Sequence, residues 1–348
     1  MENIIMPFVI SVLVSLLMTP IAKKIAVRVG AIDIPKDERR VHKKPMPLMG
    51  GLAIYTSIVI SALIFLPVNK TLISIIIGGT IIVISGIIDD IKGLSPKAKI
   101  IFQIGAAIVL LLGDVKIDAI TNPFTKSSEL ISLNGFSIPI TIFWVVGITN
   151  TLNLIDGLDG LASGVAMIAS LSFLFVANKF NYIPVTIMSS IVAGSCLGFL
   201  PYNFNPAKIF MGDTGSLFLG FMLAAISIEG VMKSVATIAI VVPIIILGLP
   251  IFDTTFAIFR RLLNGRSIVE ADKGHLHHRL LKMGFSQKKT VLILYSISAI
   301  FGLCAILIAK SNSKRAVILS MIVFLATIFL AGKMGLISSK KEDGDDED

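Results

Sequence analysis

Two adjacent acids, Asp89 and Asp90, close an apolar segment that runs from Thr71 to Ile88. Neighbouring carboxylates repel each other unless a cation or a proton intervenes, and they are costly beside an apolar environment. Consecutive side chains on a helix point about 100° apart, so we expect one carboxylate to serve a metal ion and the other a reacting group. A polar helix end without further function is the alternative for this pair.

A second group of polar residues, Asn153, Asp156 and Asp159, recurs at every third position. If the segment is helical, this spacing places the three side chains along one face. Gly157 and Gly160 leave room there for a ligand or another backbone. Residues 150–160 include no Lys or Arg, so their acids are not explained as a topology signal. We therefore predict that this segment contributes to a functional site.

A further acid, Asp213, has Gly212 before it and Thr214-Gly215 after it, at the start of another apolar segment. Glycine on both sides of an acid suits a tight turn that presents one carboxylate. Thr214 or Ser216 could cap the following helix, and capping is the alternative interpretation of the whole motif.

Three histidines, His275, His277 and His278, lie beside Lys273 and Arg279 in a polar segment. Zinc sites usually space their ligands differently, and the basic neighbours suit an anion better than a cation. Histidine beside arginine can donate hydrogen bonds to phosphate oxygens. We therefore favour contact with a phosphate or a sugar over metal ligation.

Together these segments offer carboxylate oxygens, which suit Mg²⁺ with Mn²⁺ as a substitute, and a basic element for anions. Phosphoryl transfer requires both, because its catalysis consists mostly of positioning and charge neutralisation. We predict catalytic positions for Asp89, Asp90, Asp156 and Asp159.

The composition indicates an all-α integral membrane protein. The 348 residues are 55% hydrophobic and 15% charged, with a mean hydropathy of +0.90, which excludes a water-soluble globular domain. A lipid-crossing helix needs about 20 mostly apolar residues, and this criterion predicts about eleven transmembrane helices. The predicted spans are Asn3–Ala22, Leu48–Pro67, Thr71–Ile88, Ile100–Leu112, Ile138–Thr149, Leu161–Ala177, Ile183–Pro201, Gly215–Ile228, Val235–Phe256, Val291–Ala309 and Ala316–Ala331.

The charge distribution predicts how the chain crosses the membrane. With the N-terminus outside and the C-terminus in the cytoplasm, 23 of the 31 Lys and Arg residues lie on the inner side. All the acid and histidine clusters then face the cytoplasm, on the cytoplasmic membrane of the cell. The span Ile138–Thr149 is the least secure because it is short, and without it the later clusters would face outward. The net charge of +9 therefore reflects orientation and not a nucleic-acid partner.

The domain organisation is predicted to be simple. Residues 1–335 form one transmembrane catalytic domain, and residues 336–348 form a charged, disordered cytoplasmic tail. The two cysteines, Cys196 and Cys304, lie in apolar stretches and predict no redox chemistry. We see no internal repeat of the kind that many transporters have.

The ordered set of motifs resembles the polyprenyl-phosphate N-acetylhexosamine-1-phosphate transferase family, glycosyltransferase family 4, over nearly the whole chain. The resemblance implies that UDP-HexNAc reacts with a polyprenyl phosphate in the presence of Mg²⁺, giving UMP and a polyprenyl diphosphate sugar. A homodimer is compatible with it. The motifs that carry the resemblance are Pro45–Gly51, Asp89-Asp90, Asn153–Gly160, Phe210–Ser216 and Asp272–His278.

The resemblance also implies roles for individual residues. Asp213 and Asn153 would be metal ligands, and Asp89 would deprotonate or orient the lipid phosphate, although a covalent role is an alternative. Nucleoside contacts are implied for Phe210, Asn203 and Asp159. Diphosphate contacts are implied for Lys97 or Lys99 and for Lys43 or Lys44, and sugar-phosphate contacts for His275, His277, His278 and Arg279.

Within the family, residues 272–280 resemble the bacterial undecaprenyl-phosphate GlcNAc-1-phosphate transferases. The branch that transfers phospho-MurNAc-pentapeptide in peptidoglycan synthesis usually has three consecutive histidines followed by an acid, which this chain lacks. We therefore expect UDP-GlcNAc and undecaprenyl phosphate as substrates, in the first membrane step of a teichoic acid, O-antigen or similar polymer. The muramoyl branch is one alternative, and an ion-coupled secondary transporter is another of a different class.

Overall fold

A computed structural model describes residues 2–34, 45–121, 130–232, 240–265, 274–311 and 313–333. These residues form an all-α bundle with two short antiparallel strand pairs, β1 (Ile32–Asp33) with β2 (Met46–Pro47), and β3 (Ala119–Thr121) with β4 (Leu130–Ser132). The α-helices are α1 (Glu2–Val29), α2 (Gly51–Phe65), α3 (Lys70–Lys92), α4 (Pro96–Leu112), α5 (Ser137–Leu154), α6 (Leu161–Lys179), α7 (Ile183–Asn203), α8 (Gly212–Ser227), α9 (Val241–Ile246), α10 (Gly248–Leu263), α11 (Leu276–Lys282), α12 (Gln287–Lys310) and α13 (Ser313–Lys333).

Seven helical segments of the described residues are long and apolar enough to cross a membrane. They confirm an all-α membrane protein, whereas the total of eleven spans and the orientation of the termini stay predictions. The span predicted at Ile138–Thr149 belongs to one of these segments, which covers 21 residues with its preceding short turn. The seven are Ile4–Val29, Lys70–Lys92, Asn134–Leu154, Leu161–Lys179, Ile183–Asn203, Gln287–Lys310 and Arg315–Lys333.

The segment predicted as one continuous span, Val235–Phe256, is two helices where the structure describes it. α9 ends at Ile246 and α10 begins at Gly248. Pro250 explains the break, because proline has no N–H to bond the carbonyl of Ile246 and its ring clashes with that carbonyl. α10 then continues to Leu263, beyond the predicted end of the span.

Helix α8 lies at the centre of the bundle, between α3 and α5, and is buried from Thr214 to Ser227. Glycines let neighbouring helices approach its first turn. A Cβ atom on Gly51 of α2 would lie 2.1 Å from the Cα of Gly215, and one on Gly86 of α3 would lie 2.4 Å from the Cα of Thr214. Small residues allow such close approach between membrane helices. The start of α8 is therefore held tightly between α2 and α3.

Gly86→Ala should destabilise the protein by about 1–3 kcal/mol, because the added methyl group overpacks the contact between α3 and α8. We expect a lower midpoint of thermal unfolding in detergent. The matched control is Gly105→Ala in α4, where a Cβ atom meets nothing within 4 Å. That change should be neutral or stabilising, since alanine favours a helix interior over glycine by about 0.5–1 kcal/mol. Equal midpoints for the two variants would contradict the proposed packing.

Candidate functional site

Asp90 joins the end of α3 to the start of α8. Its Oδ1 accepts a hydrogen bond from the backbone N–H of Asp213 at 2.9 Å, and its Oδ2 accepts from the N–H and the hydroxyl of Thr214 at 3.3 and 2.6 Å. A carboxylate at a helix N-terminus is favourable because it meets unpaired N–H groups and the positive end of the helix dipole. Gly212, at a φ of 70°, leaves the space that Asp90 occupies. Asp90 thus fixes where Asp213 stands.

Lys99, in the first turn of α4, connects the other two carboxylates. Its Nζ lies 2.9 Å from Asp89 Oδ2 and 2.6 Å from Asp213 Oδ2. Asp89 Oδ1 accepts a further hydrogen bond from the N–H of Leu94 at 2.7 Å. Of the two lysines predicted as alternatives, the structure brings Lys99 into the acidic group, while Lys97 is exposed on the same helix.

Asn153, in the last turn of α5, reaches the same place. Its Nδ2 donates to Asp213 Oδ1 at 3.0 Å and to Ser216 Oγ at 2.8 Å, which directs Asp213 toward Lys99. The amide oxygen of Asn153 is the atom left to meet a cation. Four helix ends, those of α3, α4, α5 and α8, therefore converge on one spot at the same end of the bundle. We call Asp89, Asp90, Lys99, Asn153 and Asp213 the acidic cluster.

The acidic cluster can hold a divalent cation. One oxygen from each of Asp89, Asp90 and Asp213 lies within 4.8 Å of the others. Asp89 and Asp90 were expected to serve different atoms because consecutive side chains on a helix diverge. In the structure both carboxylates reach the same group of oxygens, so their spacing alone does not separate their roles. A set of oxygen ligands fits Mg²⁺.

Asp156 and Asp159 lie in a turn and not on a helical face with Asn153. α5 ends at Leu154, and Gly160 adopts a φ of 78°, which breaks the helical path before α6. The acids consequently point to different neighbours. Burial raises the pKa of Asp156 to about 8, with added repulsion from the charges of Asp213 and Asp90. Asp156 is thus largely protonated at neutral pH.

Asp159 fastens this turn to the segment between α7 and α8. Its Oδ2 accepts hydrogen bonds from Asn205 Nδ2 and from the N–H of Ala207, each at 3.0 Å. Asn205 also donates to Gln287 Oε1 at 2.7 Å, so α12 is tied in as well. In this structure Asp159 stabilises the loop 203–211.

Asn203 and Phe210 mark the two ends of that loop. Asn203 is buried, accepts a hydrogen bond from Ser163 Oγ at 3.0 Å and donates to the carbonyl of Ile209 at 3.1 Å. The backbone of Phe210 pairs with Pro47 and Gly50 at 2.9 and 3.0 Å. Asn203 therefore closes the loop, and Phe210 is half-buried beside the start of α2.

The histidines lie at the start of α11. His275 and His277 are buried, while His278 and Arg279 are half-buried. The rings of His277 and His278 are 4.2 Å apart. Burial lowers the pKa of His277 to about 3, with repulsion from His278 added, so this ring is neutral at pH 7.

The histidine segment meets the turn that contains Asp156. A Cβ atom on Gly157 would lie 2.6 Å from His277 Nε2, so this ring packs on the backbone of Gly157. Arg279 Nε donates to the carbonyl of Gly274 at 3.2 Å. Four other residues singled out in the sequence lie outside the described part of the chain: Lys43, Lys44, Asp272 and Lys273.

Asp253, in α10, is a buried acid that was not among the predicted site residues. Its carboxylate is buried and lies 2.8 Å from His275 Nδ1. An acid within an apolar segment is a signal for function by itself, and Asp253 lies inside the predicted span Val235–Phe256. The interpretation of Thr214 as a cap of its own helix was wrong, because its hydroxyl bonds Asp90 across to α3.

Comparison with known proteins gives consistent matches. The family model described as Glycosyl transferase family 4 matches residues 72–231. The chain is 43% identical over 343 residues to the probable undecaprenyl-phosphate N-acetylglucosaminyl 1-phosphate transferase of Bacillus subtilis, covering 98% of this chain and 94% of that protein.

Two other relatives are more distant. The decaprenyl-phosphate N-acetylglucosaminephosphotransferase of Mycobacterium tuberculosis is 35% identical over 331 residues, covering 86% of this chain and 82% of that protein. The phospho-N-acetylmuramoyl-pentapeptide-transferase of Halalkalibacterium halodurans is 33% identical over 323 residues, covering 87% of this chain and 95% of that protein.

Asp90→Asn should lower the free energy of unfolding by about 1–3 kcal/mol, because an NH₂ group replaces one acceptor oxygen and leaves a donor of α8 unsatisfied. Thermal unfolding in detergent measures the change. Asp114→Asn is the matched control: Asp114 pairs with Lys70 at 3.0 Å on the surface, and such pairs contribute at most about 1 kcal/mol. An equal loss in both variants would show that Asp90 does not hold α8.

Proposed function

This chain belongs to the polyprenyl-phosphate N-acetylhexosamine-1-phosphate transferase family, glycosyl transferase family 4, and we propose on that premise that it transfers GlcNAc-1-phosphate from UDP-GlcNAc to undecaprenyl phosphate. The products would be UMP and undecaprenyl-diphosphate-GlcNAc, at the first membrane step of a cell-wall polysaccharide of the teichoic acid or O-antigen type.

The observation that carries this proposal is the convergence of Asp89, Asp213 and Lys99 within hydrogen-bonding distance at one end of the bundle. The carboxylate oxygens of the cluster can bind a metal cation, and the ammonium group of Lys99 can bind a phosphate. Transfer between two phosphates needs both, because its transition state spreads negative charge over several oxygens. A site built only to stabilise helix ends would not need a lysine shared by two acids.

The residues that would hold Mg²⁺ are Asp89, Asp90 and Asp213, together with the amide oxygen of Asn153. The chemistry that the ion supplies when bound is neutralisation of charge on the diphosphate oxygens. Lys99 contacts the oxygens of Asp89 and Asp213 that a metal would also use. Metal binding would therefore favour a shift of Lys99 toward the phosphates of the donor.

The transfer itself needs little proton chemistry. A phosphate monoester has its second pKa near about 6, so the lipid phosphate is largely a dianion at neutral pH. One of its oxygens attacks the β-phosphorus of the donor, a new P–O bond forms, and the bond to the oxygen of the α-phosphate breaks to release UMP. We therefore assign Asp89 a role in orienting the acceptor through the cations that it holds, and not general-base catalysis.

The donor would lie between the acidic cluster and α11. His278 and Arg279, which are half-buried, are the side chains that we assign to the sugar phosphate. His275 and His277 are buried and would act by holding that segment. For the nucleoside, we assign stacking to Phe210, while Asn203 and Asp159 shape the loop beside it.

The preference for GlcNAc is supported by the relatives. The names of the Bacillus and Mycobacterium proteins specify N-acetylglucosamine, and these relatives are 43% and 35% identical to the chain. The muramoyl-pentapeptide relative is 33% identical. A transporter function gains no support from relatives that are transferases.

The excess of Lys and Arg in the inner loops supports an active site on the cytoplasmic face. The nucleotide sugar and Mg²⁺ would then reach the cluster from the aqueous side. The lipid phosphate would enter sideways from the bilayer.

The direct test incubates purified protein in detergent with UDP-GlcNAc, undecaprenyl phosphate and Mg²⁺, and measures UMP release and lipid-linked sugar. We expect activity that EDTA abolishes and added Mg²⁺ restores. A parallel reaction supplies UDP-MurNAc-pentapeptide. Faster turnover of that donor would place the protein in the muramoyl branch. If neither donor yields UMP, the transferase proposal is wrong.

Lys99→Met should lower kcat/KM by at least about 100-fold, a loss near 2.7 kcal/mol at about 1.36 kcal/mol per tenfold. The change removes the cation shared by Asp89 and Asp213 and leaves their repulsion uncompensated. The same substitution at Lys97, which is exposed two residues earlier, should change kcat/KM by less than about threefold. The opposite ranking would assign the phosphate contact to Lys97.

Asp213→Asn should reduce kcat at least about 100-fold and raise the Mg²⁺ concentration needed for half-maximal activity, because one negative ligand is lost. Its unfolding midpoint should stay near that of the wild type, since an amide can still contact Asn153. Asp118→Asn, at an exposed carboxylate near α5, is the control for a general effect of removing a negative charge. Wild-type activity of Asp213→Asn would remove this residue from the metal site.

A further inference from the structure

Asp253 is an acid that the mechanism above does not use. It lies in α10, and only 6% of the residue is exposed. Its Oδ2 lies 2.8 Å from His275 Nδ1, and its Oδ1 accepts the backbone N–H of Leu276, also at 2.8 Å. A buried carboxylate is costly unless such bonds compensate its desolvation. Both oxygens are thus committed to the first residues of the histidine segment.

The contact fixes one nitrogen of the His275 ring. With Nδ1 held by a carboxylate, Nε2 is the ring nitrogen that remains for another partner, and the ring cannot rotate without losing the bond. In several enzyme sites a buried carboxylate orients a histidine in this way, and a change to the amide reverses the tautomer of the ring.

α10 holds the same segment at a second point. A Cβ atom on Gly274 would lie 2.3 Å from Arg260 Nη2, so the guanidinium packs directly on the residue before His275. Arg260 is buried and lies two helical turns after Asp253, on the same side of α10. Asp253 and Arg260 together form a two-point anchor.

The anchored segment packs on the turn after α5, which lies beside the acidic cluster. The rings of His275 and His277 are stacked, with centroids 5.9 Å apart and planes 10° apart. His277 packs on Gly157, next to Asp156. Asp253 and His277 also line one cavity of about 10 Å³. A change at Asp253 can therefore reach the turn beside the cluster through packed rings.

We propose that Asp253 is a positioning residue of this enzyme, which acts through His275 to orient the segment 275–279 toward the sugar phosphate of the donor. The proposal rests on the function proposed above, since it concerns how the donor is bound. A purely structural role in which Asp253 only stabilises the packing of α10 and α11 is the competing explanation.

A double-mutant cycle separates the two explanations. Asp253→Asn keeps the size and one acceptor of the side chain, and His275→Gln places an amide nitrogen near the former Nε2 while it removes the Nδ1 contact. We expect each single change to raise the KM for UDP-GlcNAc at least about tenfold and to leave the KM for undecaprenyl phosphate within about twofold. If Asp253 acts through His275, the double variant should resemble His275→Gln.

Thr254→Val is the matched control. Thr254 is the next residue of α10, is also buried, and its hydroxyl has no hydrogen-bond partner among the described residues. Its variant should retain the wild-type KM values, which would exclude a general effect of altering α10.

Two outcomes overturn the proposal: a wild-type KM for the donor in Asp253→Asn, or effects of the two changes that multiply in the double variant. If Asp253→Asn does not fold, a wild-type KM for the donor in His275→Gln overturns it equally. Nitrogen-15 NMR of the histidine rings gives a readout without turnover, since Asp253→Asn should move the His275 proton from Nδ1 to Nε2. If the protein releases no UMP but Asp253→Asn still changes the tautomer of His275, the proposed function is refuted while the link between Asp253 and His275 stands.

Discussion

The bond between the Asp90 carboxylate and the first turn of α8 determines the geometry of the acidic cluster. Without it, the half-buried carboxylate would lose these partners, and the N–H groups of Asp213 and Thr214 would lack an acceptor. With it, the end of α3 and the start of α8 form one unit. Asp89, on α3, and Asp213, on α8, are then close enough for Lys99 to form an ion pair with both.

Charge balance follows from the same unit. Asp89, Asp90 and Asp213 bring three carboxylates to one place, and Lys99 is the cation that contacts two of them. This excess of negative charge explains why the cluster can attract a divalent ion. Nearby, burial raises the pKa of Asp156, and repulsion from Asp213 and Asp90 adds to that effect, so Asp156 keeps its proton near neutral pH. The cluster is therefore suited to a divalent cation, which can in turn bind the oxygens of phosphates.

The sequence predicted which residues belong to the candidate site better than how they are arranged. Asp89, Asn153 and Asp213 could be found because polar residues at the ends of apolar segments need a reason to be there. Asp156 and Asp159 were placed on a shared helical face, but a glycine with positive φ ended the regular path, and only tertiary contacts decide where each acid points. Asp253 could have been found as an acid within an apolar segment, whereas its pairing with His275 depends on how α10 and α11 pack. The break at Leu247 could have been predicted from Pro250, whereas the choice of Lys99 over Lys97 depends on how α4 packs.

The backbone pairing of Phe210 with Pro47 and Gly50 has a consequence for engineering. Main-chain hydrogen bonds set the path of this segment, and they do not depend on which side chain occupies position 210. Because we propose that Phe210 stacks on the nucleoside, residue 210 is a position where a library of aromatic and polar side chains can be screened for altered nucleotide preference without changing the backbone path. Under the proposed stacking role, selectivity could be changed at this position without altering the scaffold.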